Sequence, residues 1–300
     1  MLTLLAQSLP ARADSRPAGD HILIVTSDSG GAYAQSEAAL RVELAGAAMQ
    51  LRTLPPSEFT TDGARHDTRL VIALGAQAAE AVASAQPDVA VIATLLAHET
   101  FRQIWPQAVA GRHAAVFLDQ PPGRQIDALV AALPRWQRIA LIASPASTPA
   151  AEALAEAADS RGLTAEVVRI RDEREMFGAM QRALAEPAVL IALPDRLLYN
   201  AHTIQNILLT TYRQRSPVLG ISPAYVRAGA LLAVHTTPEQ IARQVARLAR
   251  RTLNGEPLPE AEPPDDFEIA VNTTVARSLG IHLDPPEVIR QRMLAAERGR

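Results

Sequence analysis

Ten polar or aromatic side chains follow segments of the sequence that are predicted to be buried strands. Ligands of open parallel sheets bind beyond the carboxyl ends of the strands, so the residues that follow those ends are candidate ligand contacts. Several of these loops also begin helices, whose free backbone N–H groups favour an anionic group such as a carboxylate. The ten candidates are Ser27, Asp28, Ser29, Tyr33, Gln77, Thr94, Ser147, Asp195, Tyr199 and Tyr225.

These side chains together suit an amino-acid-sized zwitterion. Asp28 and Asp195 can pair with an ammonium group, and the hydroxyl groups can hold a carboxylate. The tyrosines can wall off a small ligand, and aromatic residues are scarce at 4% of the chain. Tyr225 is expected to lay its ring over a bound side chain, so that its removal weakens binding without unfolding the unliganded protein.

Each candidate also has a purely structural alternative. Serine and threonine at helix starts are frequent N-caps, which accept hydrogen bonds from the first turn of the helix. Asp28 and Asp195 are also typical turn residues. The sequence therefore leaves both readings of these residues open.

Motifs for catalysis or metal binding are poorly represented in the sequence. The histidines are scattered without an HExxH motif, there is no cysteine, and no GxSxG motif occurs. The Ser29-Gly30-Gly31 turn lacks the spacing of a phosphate-binding loop. We therefore predict neither an enzyme nor a bound metal or cofactor, although a Ser–His–Asp arrangement built from distant residues stays open.

The elements that must position the candidates alternate between strand and helix. His21–Thr26 and Ala188–Leu193 are short apolar runs typical of strands buried on both faces, and helix-spaced apolar residues follow each strand. Such alternation predicts parallel sheets covered by helices. A break at Asp119–Gly123, followed by a second series of strand–helix units, predicts an α/β fold with two similar lobes.

Composition and the N-terminus restrict the partners and the location. The net charge of −3 argues against a basic face for nucleic acid, and 48% apolar residues suffice for two cores. Residues 1–13 are apolar and end in Ala-Arg-Ala, which resembles the remnant of a secretory signal cleaved after Ala13. A disordered arm is the alternative. No later run approaches the length of a membrane span, so we expect a periplasmic protein with no span in the mature chain.

A series of short motifs between Ala188 and Leu283 resembles the C-terminal half of the ABC-transporter substrate-binding family. Their order and spacing extend over about ninety residues, and the wider resemblance covers roughly residues 20 to 285. The motifs are Pro217–Gly220, Gly229–Leu231, Leu253–Pro257 and Phe267–Asn272, followed by Ala276, Leu279, Gly280 and Ile281.

The resemblance implies the type 1 periplasmic binding protein architecture, with two lobes joined by a hinge and an ABC permease as partner. It implies a first lobe of residues 20–118 plus 236–262 and a second lobe of residues 119–235. Residues 263–300 would be a hinge-returning segment and tail. The expected function is binding of a small, amino-acid-like molecule in the cleft between lobes. A ligand-sensing or accessory module of the same fold is the alternative, and an enzyme on an α/β scaffold is a weaker one.

Overall fold

The computed structural model describes residues 21–46, 49–60, 68–200 and 202–298, and it shows two sheets flanked by helices. The first sheet has five parallel strands in the order β2-β1-β3-β4-β5. Its elements are β1 (His21–Thr26), α1 (Gly31–Leu44), β2 (Gln50–Leu54), β3 (Thr68–Leu74), α2 (Ala76–Ala85), β4 (Ala90–Thr94), α3 (His98–Ile104) and β5 (His113–Val116).

The second sheet begins after the chain has crossed from β5. Its first elements are α4 (Pro122–Ala132), β6 (Arg138–Ala143), α5 (Thr148–Asp159), β7 (Thr164–Arg169), α6 (Met176–Ala183), β8 (Val189–Ile191), α7 (Ile204–Arg213), β9 (Val218–Gly220), α8 (Pro223–Ala228) and β10 (Leu232–His235). The remaining elements of the chain are α9 (Pro238–Leu253), β11 (Glu268–Val271), α10 (Thr273–Leu279) and α11 (Pro286–Arg298). The strand order is β11-β10-β9-β8-β6-β7, and only the β10–β11 pair is antiparallel among the described strands. The predicted α/β class with parallel sheets is therefore confirmed.

Helix α9 follows the second sheet in sequence but packs against the first. Its start is fixed by a capping box, in which the Thr237 hydroxyl accepts from the Gln240 backbone and the Gln240 side chain accepts from the Thr237 backbone. Ile241, Val245 and Leu248 are buried in one cluster with the apolar residues of β1, β3 and α1. This packing supports our proposal that residues 20–118 and 236–262 form a first lobe.

The C-terminal residues form regular structure on the second sheet. Strand β11 pairs with β10, and helix α11 packs against α4. Residues 268–298, expected as part of a hinge-returning segment and tail, thus complete the second sheet and its helical layer. We propose that these residues belong with 119–235 in a second lobe. The predicted signal remnant, residues 1–13, lies outside the described residues.

Three segments of chain cross between the sheets, and hydrogen bonds join them. The Gln120 side-chain Nε2, from the crossing between β5 and α4, donates to Thr236 Oγ1 at 2.7 Å. Thr236, from the crossing between β10 and α9, donates in turn to the Asp266 carbonyl at 2.8 Å. Asp266 lies on the third crossing, just before β11. One residue from each crossing therefore takes part in a single network, which is called the crossing network below.

Candidate functional site

The predicted candidates in the first sheet begin with a tight group at the ends of β1 and β3. Ser27 Oγ accepts a hydrogen bond from the Ala78 backbone N–H at 2.9 Å, which ties the loop after β1 to the start of α2. Gly75, which lies between β3 and α2, has a φ of +92°. A Cβ at Gly75 would lie 2.6 Å from Tyr33 Cε1 and 2.7 Å from Ser27 Oγ. Gln77 is exposed beside this group.

The other candidates in the first sheet serve local structure. Asp28 is exposed and its Oδ1 accepts from the Gly30 backbone N–H at 2.9 Å, which is a turn contact. Ser29 is exposed in the same turn. Thr94 is fully buried and donates its hydroxyl to the Val116 carbonyl at 2.8 Å, so that side chain links β4 to β5.

Asp195 and Ser147 meet inside the second sheet, as two candidates that the sequence placed on different loops. Ser147 Oγ donates to Asp195 Oδ2 at 2.6 Å, and the backbone N–H groups of Leu197 and Leu198 donate to the other oxygen at 2.9 and 3.2 Å. Both side chains are buried. Burial alone would raise the pKa of the Asp195 carboxyl, but hydrogen bonds from Ser144, Ser147 and the two backbone groups outweigh burial and lower that pKa.

Tyr199 and Tyr225 are also held by internal hydrogen bonds. The Tyr199 hydroxyl donates to the Ile142 carbonyl at 3.1 Å, and burial raises its pKa far above the ordinary value. The Tyr225 hydroxyl donates to the Tyr199 carbonyl at 2.8 Å, and its partly buried ring packs on the core of the second sheet. Tyr225 therefore also contributes to the packing of the unliganded protein, and its contact with a ligand stays a prediction.

A cavity of about 230 Å³ lies where the two sheets face each other, next to the crossing network. Its walls come from the carboxyl ends of β4 and β5 in the first sheet and of β8 and β9 in the second. The residues that line it are Ala97, Leu118, Asp119, Gln120, Gln125, Pro194, Leu219, Gly220, Ile221, Ser222 and Val234.

The walls of this cavity are mainly apolar and open to solvent. Leu118 and Ile221 approach it from opposite sides and expose 45% and 38% of their surface, although large aliphatic side chains are usually covered. On the polar side, Gln120 is fixed by the crossing network and Gln125 Nε2 donates to the Gln120 carbonyl at 3.0 Å. Exposed apolar side chains that face each other across a gap are typical of a binding cleft.

Asp119 is the one ionisable residue among those that line the cavity. Its Oδ2 accepts a hydrogen bond from the His98 backbone N–H, at the start of α3, at 2.6 Å. Burial raises the pKa of the Asp119 carboxyl above its ordinary value, and the bond from His98 opposes that rise. The carboxylate is therefore held in place by the backbone but is poorly solvated.

None of the ten predicted residues lines this cavity, but two of the loops that carry them supply Pro194 and Ser222 to its walls. Within the loops Pro194–Tyr199 and Ser222–Tyr225, the predicted residues Asp195, Tyr199 and Tyr225 do not line the cavity, and their contact with a ligand stays a prediction. Asp119 and Leu118 were missed because they were interpreted only as part of the crossing between lobes. The signal that points to them is their position directly after β5, the same rule that selected the other loops.

A wider groove of about 320 Å³ lies between α6 and α7. Met176, Phe177 and Ile207 line it, and all of its lining residues belong to the second sheet and its helices. A movement of one sheet relative to the other would leave this groove unchanged. The cavity between the sheets is therefore the better candidate for a ligand site.

Metal-binding clusters and membrane-spanning helices are both absent from the described residues. In residues 21–46, 49–60, 68–200 and 202–298, no group of three or more His, Cys, Asp or Glu side chains is arranged to hold a metal ion. Within the same ranges, no helix is both long enough and apolar enough to cross a membrane.

Solved structures with the same fold include two binding proteins and one regulator. A ligand-free, open substrate-binding protein with adhesive properties from Clostridium difficile matches with a TM-score of 0.71 at 17% identity, over 89% of this chain and 97% of that one. An ABC domain from Streptococcus pneumonia in complex with L-Trp matches with a TM-score of 0.61 at 16% identity, over 90% of this chain and 98% of that one. A transcriptional activator from Bacillus halodurans matches with a TM-score of 0.53 at 12% identity, over 92% of this chain and 95% of that one. At such identities these structures show the fold alone, and they confirm the predicted type 1 periplasmic binding protein architecture.

A match to one protein family covers most of the chain. No curated protein matches the sequence significantly. Residues 62–292 match the family described as ABC transporter substrate binding protein, in agreement with the motifs between Ala188 and Leu283. The chain therefore belongs to the ABC transporter substrate-binding protein family.

Proposed function

We propose that the chain is the periplasmic solute-binding protein of an ABC importer and binds a small, amino-acid-like molecule in the cavity between the sheets. Membership of the substrate-binding family supports a small-molecule ligand and a permease partner. The observation that carries the proposal is the cavity itself, because both sheets supply its walls from the carboxyl ends of their strands. The L-Trp complex of a protein with the same fold supports an amino-acid-like ligand.

The proposal includes closure of the two lobes around a ligand, and the arrangement of the cavity walls supports it. Leu118 and Ile221 are exposed on opposite walls, so a ligand with an apolar body would allow both to leave water at once. The crossing network holds the three connecting segments together while the lobes change their angle. A ligand that contacts both walls favours the closed state, because it gains its full contacts only there.

A thermal-shift screen of amino acids, small carboxylates and purines tests the proposal. A ligand that binds only the native state, present at 100 times its Kd, adds about 2.7 kcal/mol to the free energy of unfolding. The variant Ile221→Arg places a bulky cation in the cavity and should abolish the shift. Leu209→Arg is the matched control, because Leu209 lies on α7 away from the cavity and is 48% exposed.

Equal ligand shifts in Ile221→Arg and Leu209→Arg would place the ligand elsewhere and contradict the proposed cavity.

Deletion of the coding gene should abolish cellular uptake of the ligand, and uptake that persists would argue against an importer role. N-terminal sequencing of periplasmic protein should give Asp14 as the first residue. Recovery of the folded protein with Met1 intact from the cytoplasm would contradict export.

A further inference from the structure

The Asp119 carboxylate lines the cavity and has no ion-pair partner among the described residues. No ion pair within 4.0 Å among the described residues includes Asp119. The imidazole of His98 is the titratable side chain that acts on it electrostatically, and His98 is exposed. A partly buried carboxylate of this kind is stabilised when a cation enters its site.

The rest of the cavity is complementary to the body of an organic cation rather than to a metal ion. Leu118, Pro194, Ile221 and Val234 form apolar walls, and no arginine lines the cavity. The chain contains no lysine. A ligand carboxylate would therefore meet no basic side chain on these walls, whereas a ligand ammonium would meet Asp119.

We infer that the cavity selects an organic ammonium, with Asp119 accepting a hydrogen bond from the protonated nitrogen and with Leu118 and Ile221 covering an apolar body. This inference rests on the proposed function and specifies the charge of its ligand. The His98 backbone N–H already holds Oδ2, so Oδ1 is the atom offered to the cation. Because the carboxylate is held by the backbone, little side-chain freedom is lost when the cation binds.

Four leucine derivatives that share one apolar side chain test the charge preference. L-leucinamide is a cation, L-leucine a zwitterion, N-acetyl-L-leucinamide neutral and N-acetyl-L-leucine an anion at pH 7. Isothermal titration of the full chain should give the tightest binding for L-leucinamide and the weakest for N-acetyl-L-leucine. We expect at least a tenfold difference between them, in line with a charge-assisted hydrogen bond in a partly dry site.

The variant Asp119→Asn separates the charge from the shape of the side chain. The amide oxygen can still accept from the His98 N–H, so the fold should be retained. We expect the affinity for L-leucinamide to fall 10- to 100-fold and the affinity for N-acetyl-L-leucinamide to change less than threefold. Asp159→Asn is the control for net charge, because Asp159 is exposed at the end of α5, and it should bind all four compounds as the unaltered chain does.

Three results would overturn the inference. Asp119→Asn that binds L-leucinamide as tightly as the unaltered chain, while Ile221→Arg does not bind it, would refute the carboxylate's role and leave the proposed function intact. Tighter binding of N-acetyl-L-leucine than of L-leucinamide would also refute the role of the carboxylate and leave the proposed function intact. Failure of the unaltered chain to bind any of the four at millimolar concentration would also refute it, and the proposed function would fail as well only if the wider solute screen found no ligand.

Discussion

Arg124 on α4 connects the crossing segments to the C-terminal helix, and its removal is expected to destabilise the unliganded protein. Its side chain is only 10% exposed, and its Nε donates to Glu297 Oε1 on α11 at 2.9 Å. Its Nη1 donates to the Pro264 carbonyl at 2.8 Å and to Gln120 Oε1 at 3.1 Å. The guanidinium also lies over the Phe267 ring, 4.6 Å from its centre. We expect Arg124→Ala to lose all of these contacts together.

The size of the loss can be worked from these contacts. Hydrogen bonds from a charged donor to the Pro264 carbonyl and to Gln120 contribute about 1.5 kcal/mol each, at the low end for charged groups because water can replace part of them. The pair with Glu297, whose side chain is 31% exposed, adds about 0.5 kcal/mol. The contact with Phe267 adds about 0.5 kcal/mol. The sum is about 4 kcal/mol of unfolding free energy, equivalent to a fall in Tm of about 6 °C for a chain of this length.

Chemical denaturation of Arg124→Ala, beside Arg124→Lys and Arg292→Ala, measures this loss. Arg124→Lys keeps the charge but not the planar fork, so it should recover less than half of the lost free energy. Arg292 is the control, because it also joins α11 to α4 but is 50% exposed and should cost at most about 1 kcal/mol when replaced.

A cost for Arg124→Ala within 1 kcal/mol of the cost for Arg292→Ala would refute the reasoning. Such a result would mean that solvent replaces the contacts of Arg124 as readily as those of an exposed arginine.

Three further predictions concern the candidates that serve the fold. The pKa of Asp195 is lowered in the folded protein, so its ionised carboxylate stabilises the fold above about pH 4, near the pKa of the unfolded chain. This stabilisation is lost as the pH falls through the lower pKa of the folded protein. Asp195→Asn should therefore cost about 2 kcal/mol at pH 7 and flatten the fall in stability between about pH 5 and 3 in acid-denaturation curves; an unchanged curve would contradict this. Tyr225→Phe should lower the free energy of unfolding by about 1 kcal/mol, because the hydrogen bond to the Tyr199 carbonyl is lost. Tyr225→Ala should lower it by about 3 kcal/mol. Equal melting temperatures of both variants and the unaltered chain would contradict this prediction. Gly75→Ala should cost about 2–3 kcal/mol in urea denaturation, because φ of +92° disfavours a Cβ that would also meet Tyr33, and a neutral effect would show that the loop relaxes freely.

The larger features of the fold could be predicted from the sequence because they depend on local patterns. Short apolar runs such as His21–Thr26 are buried strands, and helix-spaced apolar residues follow them. The start of α9 follows from Thr237-Pro238-Glu239-Gln240, whose capping groups act within one turn. The boundaries follow less closely from the sequence, because the apolar run Ala188–Leu193 is longer than the strand that it forms, β8 at Val189–Ile191.

The candidate site could be predicted only as a set of loops. The rule that ligands bind at the carboxyl ends of strands selected the loops that supply Pro194 and Ser222 to the cavity, but it does not say which way a side chain turns. Asp195 and Ser147 turn inward, because the N–H groups of Leu197 and Leu198 and the hydroxyl of Ser147 satisfy the Asp195 carboxylate there.

Asp119 illustrates what only the tertiary structure decided. In sequence it is one residue of a crossing segment, and its position after a predicted strand is a signal that it shares with other carboxylates in turns. In the folded chain, the start of α3 supplies one N–H to its Oδ2, while residues of the second sheet, more than seventy positions away, supply the opposite wall of the cavity. Local sequence determines which elements form, because their hydrogen bonds and apolar faces repeat over a few residues. The site depends on which polar groups remain unsatisfied after distant elements have packed, and that is decided only in three dimensions.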